Sequence, residues 1–196
     1  MNIIPKLISL LIIMTISNVT QANVEISKYI TKNGIKVLYS KSGNIPMIDI
    51  RITFDAGSNK DGDLKGISML THSLLDEGTS KMDAESIASV FESNGSVFNT
   101  SVNKDKSSIS LRSLTEKKYL NPSIKMFLSI LSDSVFPKNE TQLQKDRTLT
   151  SIMEDETDAA EVASSLFFKE IYSDYPYAYN TICLLYTSDA ADDLLC

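Results

Sequence analysis

The sequence is poorest in the residues that carry out chemistry. Its 196 residues include one histidine, two cysteines and no tryptophan, and each shortage closes a class of function. With His72 alone, no site that needs two imidazoles on one zinc ion is available. Both cysteines, Cys183 and Cys196, fall in the last stretch of the chain, so its body offers neither a disulfide nor a thiolate. Basic residues are also short: 19 Lys and Arg face 25 Asp and Glu, for a net charge of -6. Such a surface cannot track a phosphate backbone, which argues against a nucleic-acid partner. The seven glycines are scattered, and none forms a phosphate-binding loop.

One long hydrophobic run is present, and it lies at the N-terminus. Met1 to Ala22 carries Lys6 as its only charge, then the ten-residue run Leu7 to Ile16, then Thr20-Gln21-Ala22 with small residues at the -3 and -1 positions. A bilayer-spanning helix needs about 20 apolar residues, so the pattern predicts a signal peptide cleaved after Ala22 rather than a stable membrane anchor. Export to a periplasm, or secretion, is the expectation. No cysteine follows Ala22 to take a lipid. The last stretch, Cys183 to Cys196, resembles the conceptual translation of a sequencing adapter joined to a truncated reading frame. The domain to be explained is therefore residues 23–182, a mildly acidic segment.

That segment alternates strand and helix signals. Tyr29 to Tyr39 holds two short β-type runs around Asn33-Gly34, the dipeptide suited to a two-residue type I′ hairpin. Ile48, Ile50, Ile52 and Phe54 alternate with Asp49, Arg51, Thr53 and Asp55, as in a strand buried on one face. Gly66 to Glu77 places Ile67, Leu70, Leu74 and Leu75 at helical spacing, with Gly78 as a stop. Asp83 predicts the N-cap of a second helix that buries Ile87, Ala88, Val90 and Phe91. Ser96 to Val102 and Ser107 to Ser113 read as antiparallel strands. Asn121-Pro122 reads as N-cap and N1 of a helix whose apolar face is Ile124, Phe127, Leu128 and Leu131. From Asn139, with Gln142 as its capping-box partner, the pattern stays helical to Ile171. This order predicts an α+β fold, a largely antiparallel sheet with helices packed on one face.

The run Gly66-Ile-Ser-Met-Leu-Thr-His-Ser-Leu-Leu-Asp-Glu-Gly78-Thr79, after a strand ending in Asp55-Ala56-Gly57-Ser58, resembles the insulinase-like (inverzincin) metallopeptidases, the family of pitrilysin and the mitochondrial processing peptidase. Phe136-Pro137 and Asp174-Tyr-Pro-Tyr177 extend the similarity over about residues 30–180. The resemblance implies the N-terminal half of a two-half clamshell around a peptide chamber. Active members carry His-x-x-Glu-His on this helix, two histidines for Zn²⁺ and a glutamate that polarises water. Here the five positions are Met69, Leu70, Thr71, His72 and Ser73. The third family ligand corresponds to Glu154 or Glu156, and a lone carboxylate does not hold catalytic zinc.

The resemblance therefore implies no catalytic residue and no metal in this protein, with zinc only in a partner. The expected role is a non-catalytic subunit that completes the peptide chamber of an active zinc metallopeptidase and contacts peptide or unfolded protein. The alternative is a zinc metalloendopeptidase with a rearranged metal site, for which His72, Asp76 and Glu154 are the candidate ligands. His72 and Asp76 stand at i, i+4 on one face of the predicted helix. The plainer reading makes His72 a polar contact in the helix packing. Met69 reads as core filling, Ser73 has no base at a recognisable spacing, and the acidic run Glu154 to Asp158 reads as a solvated helix face.

Overall fold

The computed structural model describes residues 25–41, 43 and 45–181. The predicted leader, 1–22, and the predicted adapter-like tail, 183–196, lie outside the described residues. Contacts divide the protein after Ile45 into two units.

The first unit is a hairpin of β1 (Ile26–Ile30) and β2 (Lys36–Ser40), antiparallel with Ile30 opposite Lys36. Its loop is not the expected two-residue type I′ turn. Three residues, Lys32, Asn33 and Gly34, make the connection: Gly34 N–H donates to the Thr31 carbonyl and Thr31 N–H to the Ile35 carbonyl, both at 2.9 Å. A type I′ turn requires positive φ at both central residues, and here only Gly34 adopts it, at +81°. Thr31 Oγ1 also accepts from Ile35 N–H at 3.0 Å, which secures the longer loop.

The second unit is built on a three-stranded antiparallel sheet in the order β3 (Met47–Phe54), β5 (Ser107–Leu114), β4 (Val97–Val102). The strands thus form two sheets rather than one, and the α+β, antiparallel expectation holds for both. Alternation decides the faces. Ile50 and Ile52 pair with Leu111 and Ile109, and these with Phe98 and Thr100, so one face of the sheet is apolar. Helices α2 (Ala84–Ser93) and α3 (Lys117–Asp133) cover it. The core joins Ile87 and Phe91 of α2, Ile109 and Leu111 of β5, and Met126, Phe127 and Ile130 of α3. Phe98 stacks on Phe91 at 5.5 Å between centroids and meets Phe127 edge-on at 6.1 Å. Beside them runs a buried series of hydroxyls. Ser96 Oγ lies 3.0 Å from Ser113 Oγ and 2.5 Å from Ser123 Oγ, and Ser123 donates to the Tyr119 carbonyl, so burial leaves none of the three unsatisfied.

Several helix boundaries differ from the sequence reading. Asp83 does cap α2, accepting from Ser86 N–H at 2.9 Å, but Ala88 is exposed. α3 begins at Lys117, not at Pro122, which lies inside the helix and removes one backbone bond to the Lys118 carbonyl. The buried face of α3 is accordingly Ser123, Met126, Phe127 and Ile130, while Leu128 is exposed. α4 (Lys138–Thr157) starts after Pro137 without a capping box: Gln142 donates instead to Asp146 at 2.9 Å. Asp158 ends α4 and caps α5 (Ala159–Tyr172), accepting from Ala160 N–H at 2.7 Å. Among the described residues no helix is long and apolar enough to cross a membrane.

The β4–β5 turn, residues 103–106, meets the exit of β3. Ser58 and Asn59 N–H donate to the carbonyls of Asn103 and Lys104, both at 3.0 Å. A Cβ on Gly57 would stand 2.4 Å from Asp105 C and Lys106 N, a separation that backbone must move to relieve. Gly57→Ala is expected to destabilise the protein by about 1–3 kcal/mol in urea unfolding at constant m-value. Gly43→Ala, whose Cβ meets nothing within 4 Å, is expected to leave the midpoint unchanged.

Candidate functional site

The five positions singled out in the sequence lie on α1 (Ile67–Ser73). This helix begins at Gly66, φ +82°, which supplies no side chain for a cap. Asp61 caps it from a distance. One carboxylate oxygen accepts from Gly66 N–H at 2.9 Å and from Ser68 Oγ at 3.2 Å, and the other from Ser68 N–H at 3.2 Å. A negative charge on free amides at a helix start is favourable twice over, as acceptor and as dipole partner. Sequence reasoning misses Asp61, which reads there as part of a polar loop. The only signal it leaves is an acid five residues before a glycine, with a serine two beyond.

Leu70 and, just past the helix, Leu74 are buried, whereas Met69, Thr71, His72 and Ser73 are half-buried. His72 Nδ1 lies 3.0 Å from the Ser68 carbonyl, which can only accept, so Nδ1 carries the proton. Ser73 Oγ donates to the Leu70 carbonyl at 2.9 Å. Both polar side chains therefore fold back on their own helix.

The helix stops at Ser73, four residues earlier than its apolar spacing predicts. Leu74 to Asp76 form a turn, and Gly78 and Thr79 then bridge Asp83 and Ser134. Gly78 is thus no helix stop but a point of close approach, where a Cβ would stand 3.2 Å from Pro137 Cγ and 3.3 Å from Val135 Cγ2. Because Asp76 lies beyond the helix end, it does not share a helical face with His72. Gln144 of α4 donates to Glu77 at 2.9 Å, and Glu154 stands ten residues farther along α4, about 15 Å at 1.5 Å per residue. Glu154 and Glu156 are exposed. Among the described residues no group of three or more His, Cys, Asp or Glu side chains is placed to hold a metal ion, so His72, Asp76 and Glu154 do not converge as a ligand set.

The insulinase family, peptidase family M16, matches residues 36–184 by its family model. The chain belongs to this family. An inactive domain of peptidase M16 from Pseudomonas fluorescens superposes with a TM-score of 0.79 at 31% identity, over 81% of this chain and 39% of that one. A protease of Helicobacter pylori superposes with a TM-score of 0.71 at 17% identity over 81% of this chain and 38% of that one, a likeness of fold. The non-peptidase homologue YmxG of Helicobacter pylori is 25% identical over 159 residues, which are 81% of this chain and 36% of that protein. The chain thus spans little more than a third of the length of each of these proteins. The zinc of active M16 peptidases does not fit α1: methionine, leucine, threonine and serine are not its ligands, and the single imidazole stands where the family has its glutamate.

Asp76 is the perturbed acid of this region. Burial raises its pKa above the ordinary 3.8. Between 3.8 and the raised value the folded state binds more protons than the unfolded one, so stability falls as pH rises through that window. Asp76→Asn is expected to raise the melting temperature at neutral pH and to lose that gain as pH drops below 3.8. Thermal melts of both proteins across the acid range measure it.

Proposed function

We propose that this M16 homologue is a non-catalytic subunit that closes the peptide chamber of an active zinc metallopeptidase, with zinc only in that partner. On this reading the protein acts after export, in a periplasm or outside the cell, and contacts peptide or unfolded protein. The observation that carries it is the donor set of α1, where Met69 and Ser73 replace both metal-binding histidines and His72 replaces the glutamate. A relative described as a non-peptidase homologue and another described as an inactive domain support it. So does the surface of α4 and α5. Leu143, Met153, Val162, Leu166, Phe167 and Ile171 are all exposed there, an apolar set suited to a protein partner.

Zinc titration of the purified protein tests the reading. The wild type is expected to retain no stoichiometric zinc after desalting. The triple variant Met69→His, His72→Glu, Ser73→His, which restores the family motif, is expected to gain zinc affinity. One tightly held equivalent in the wild type would overturn the proposal and revive a rearranged metal site.

A further inference from the structure

The face of the three-stranded sheet turned away from α2 and α3 carries three cross-strand rows. Their register is fixed by the ladder: Asp49, Arg112 and Val97; then Arg51, Ser110 and Asn99; then Thr53, Ser108 and Ser101. Neighbouring strands lie about 5 Å apart, so each row is one set of adjacent side chains. The middle row places a short serine on the central strand between an arginine and an asparagine, with Arg112 next to it. Long side chains around a short one leave a hollow of 330 Å³, lined by Asp49, Arg51, Asn99, Ser110 and Arg112 with Ile50 and Val97.

The charges in this hollow do not cancel. Arg112 holds both oxygens of Asp49 in a fork, Nε to Oδ1 at 2.6 Å and Nη2 to Oδ2 at 3.1 Å. Arg51, two residues along the same strand, reaches Asp49 only through space, and its guanidinium has no hydrogen-bond or ion-pair partner among the described residues. Ser101 and Ser108 hydroxyls satisfy each other at 2.8 Å, whereas the polar groups of the middle row have no such partner among the described residues. A protein of net charge -6 therefore presents a spare guanidinium, an amide and a hydroxyl in one row.

We infer that this row is a binding site for the carboxylate of an Asp or Glu side chain in an extended peptide lying across the sheet face. The guanidinium fork matches a planar carboxylate and takes both its oxygens. Ser110 and Asn99 supply the neutral donors. The terminal carboxylate of a peptide is a poorer fit, because such groups are captured by free backbone N–H groups, and those of β5 are spent on β3 and β4. The site is separate from α1, and it stands or falls independently of the absence of zinc there.

Fluorescence anisotropy with the full-length protein tests it. The probe is a labelled, C-terminally amidated Gly-Ser peptide with two central glutamates. Binding is expected to be saturable and at least ten-fold tighter than that of the Gln analogue. Arg51→Gln is expected to weaken binding at least ten-fold and Asn99→Ala several-fold, with unchanged thermal melts because both side chains are exposed. Lys125→Gln, the same charge change at an exposed position on α3, is expected to have no effect. Four results would each overturn the inference: a Kd weaker than about 1 mM, equal binding of the Gln analogue, equal weakening by Lys125→Gln, or tight binding of the Gln peptide once its C-terminus is free.

Discussion

Backbone touching backbone at Gly57 is the constraint on which the rest of the second unit depends. With no Cβ there, β3 leaves the sheet directly against the β4–β5 turn. The two hydrogen bonds from Ser58 and Asn59 then hold the backbone in line. Two residues on, Asp61 is delivered to the start of α1 and accepts three hydrogen bonds there. The same turn also holds the last of the described residues. Lys104 donates to the carbonyls of Tyr177 at 2.5 Å and Tyr179 at 2.9 Å and lies 4.8 Å from the Phe168 ring centroid. The Tyr177 hydroxyl donates to Asp105. Burial pushes the Lys104 pKa down, the expected cost of drawing an ammonium into a half-enclosed site. One turn thus locates both the helix that carries the motif positions and the C-terminal edge of α5.

This arrangement explains how the metal-binding residues are dispensable to the fold. α1 is held at its start by Asp61, within it by Leu70 and just past its end by Leu74, none of which stands at a ligand position of the motif. With methionine and serine at the two histidine positions of the family motif, the helix is still anchored by Asp61 and Leu70. His72 and Ser73 then spend their protons on carbonyls of their own helix. The fold is thus held by residues other than those at the motif's ligand positions, the separation expected when function resides in a few side chains carried on a common fold.

Where one face of an element is buried, the sequence is a good guide. The period-2 pattern of Ile48 to Phe54, Phe98 to Val102 and Ile109 to Leu111 places the strands and their inner faces, because a one-residue slip would bury the charged row. Asp83 is legible as a cap for a related reason: its action is local. What misleads are signals that tertiary contacts override. Asn121-Pro122 has the chemistry of a helix start, yet Met126 and Ile130 anchor a helix that already exists at Lys117. The apolar spacing through Leu75 suggests a longer α1, yet Ser134 Oγ takes the Leu75 carbonyl at 2.7 Å and the backbone turns away to bridge α3's end. In the candidate site, the identities of Met69, His72 and Ser73 are readable. The position of Asp76 is not, because it depends on where the helix stops.

The remaining tension lies in α4 and α5. Neither helix buries a single residue among those described, although helices in proteins draw most of their stability from packing an apolar face. Their caps are modest: α4 has none from a side chain, and α5 has Asp158. Aromatic contacts among Phe167, Phe168 and Tyr172 and the Glu77–Gln144 bond secure parts of them, but among the described residues Leu143, Val162, Leu166 and Ile171 stay exposed. On the proposed reading, a partner subunit would give these side chains a cover and the helices a source of stability. The proposed role thus rests on two separate grounds, a motif that has lost its ligands and a pair of helices that has not yet buried its apolar side.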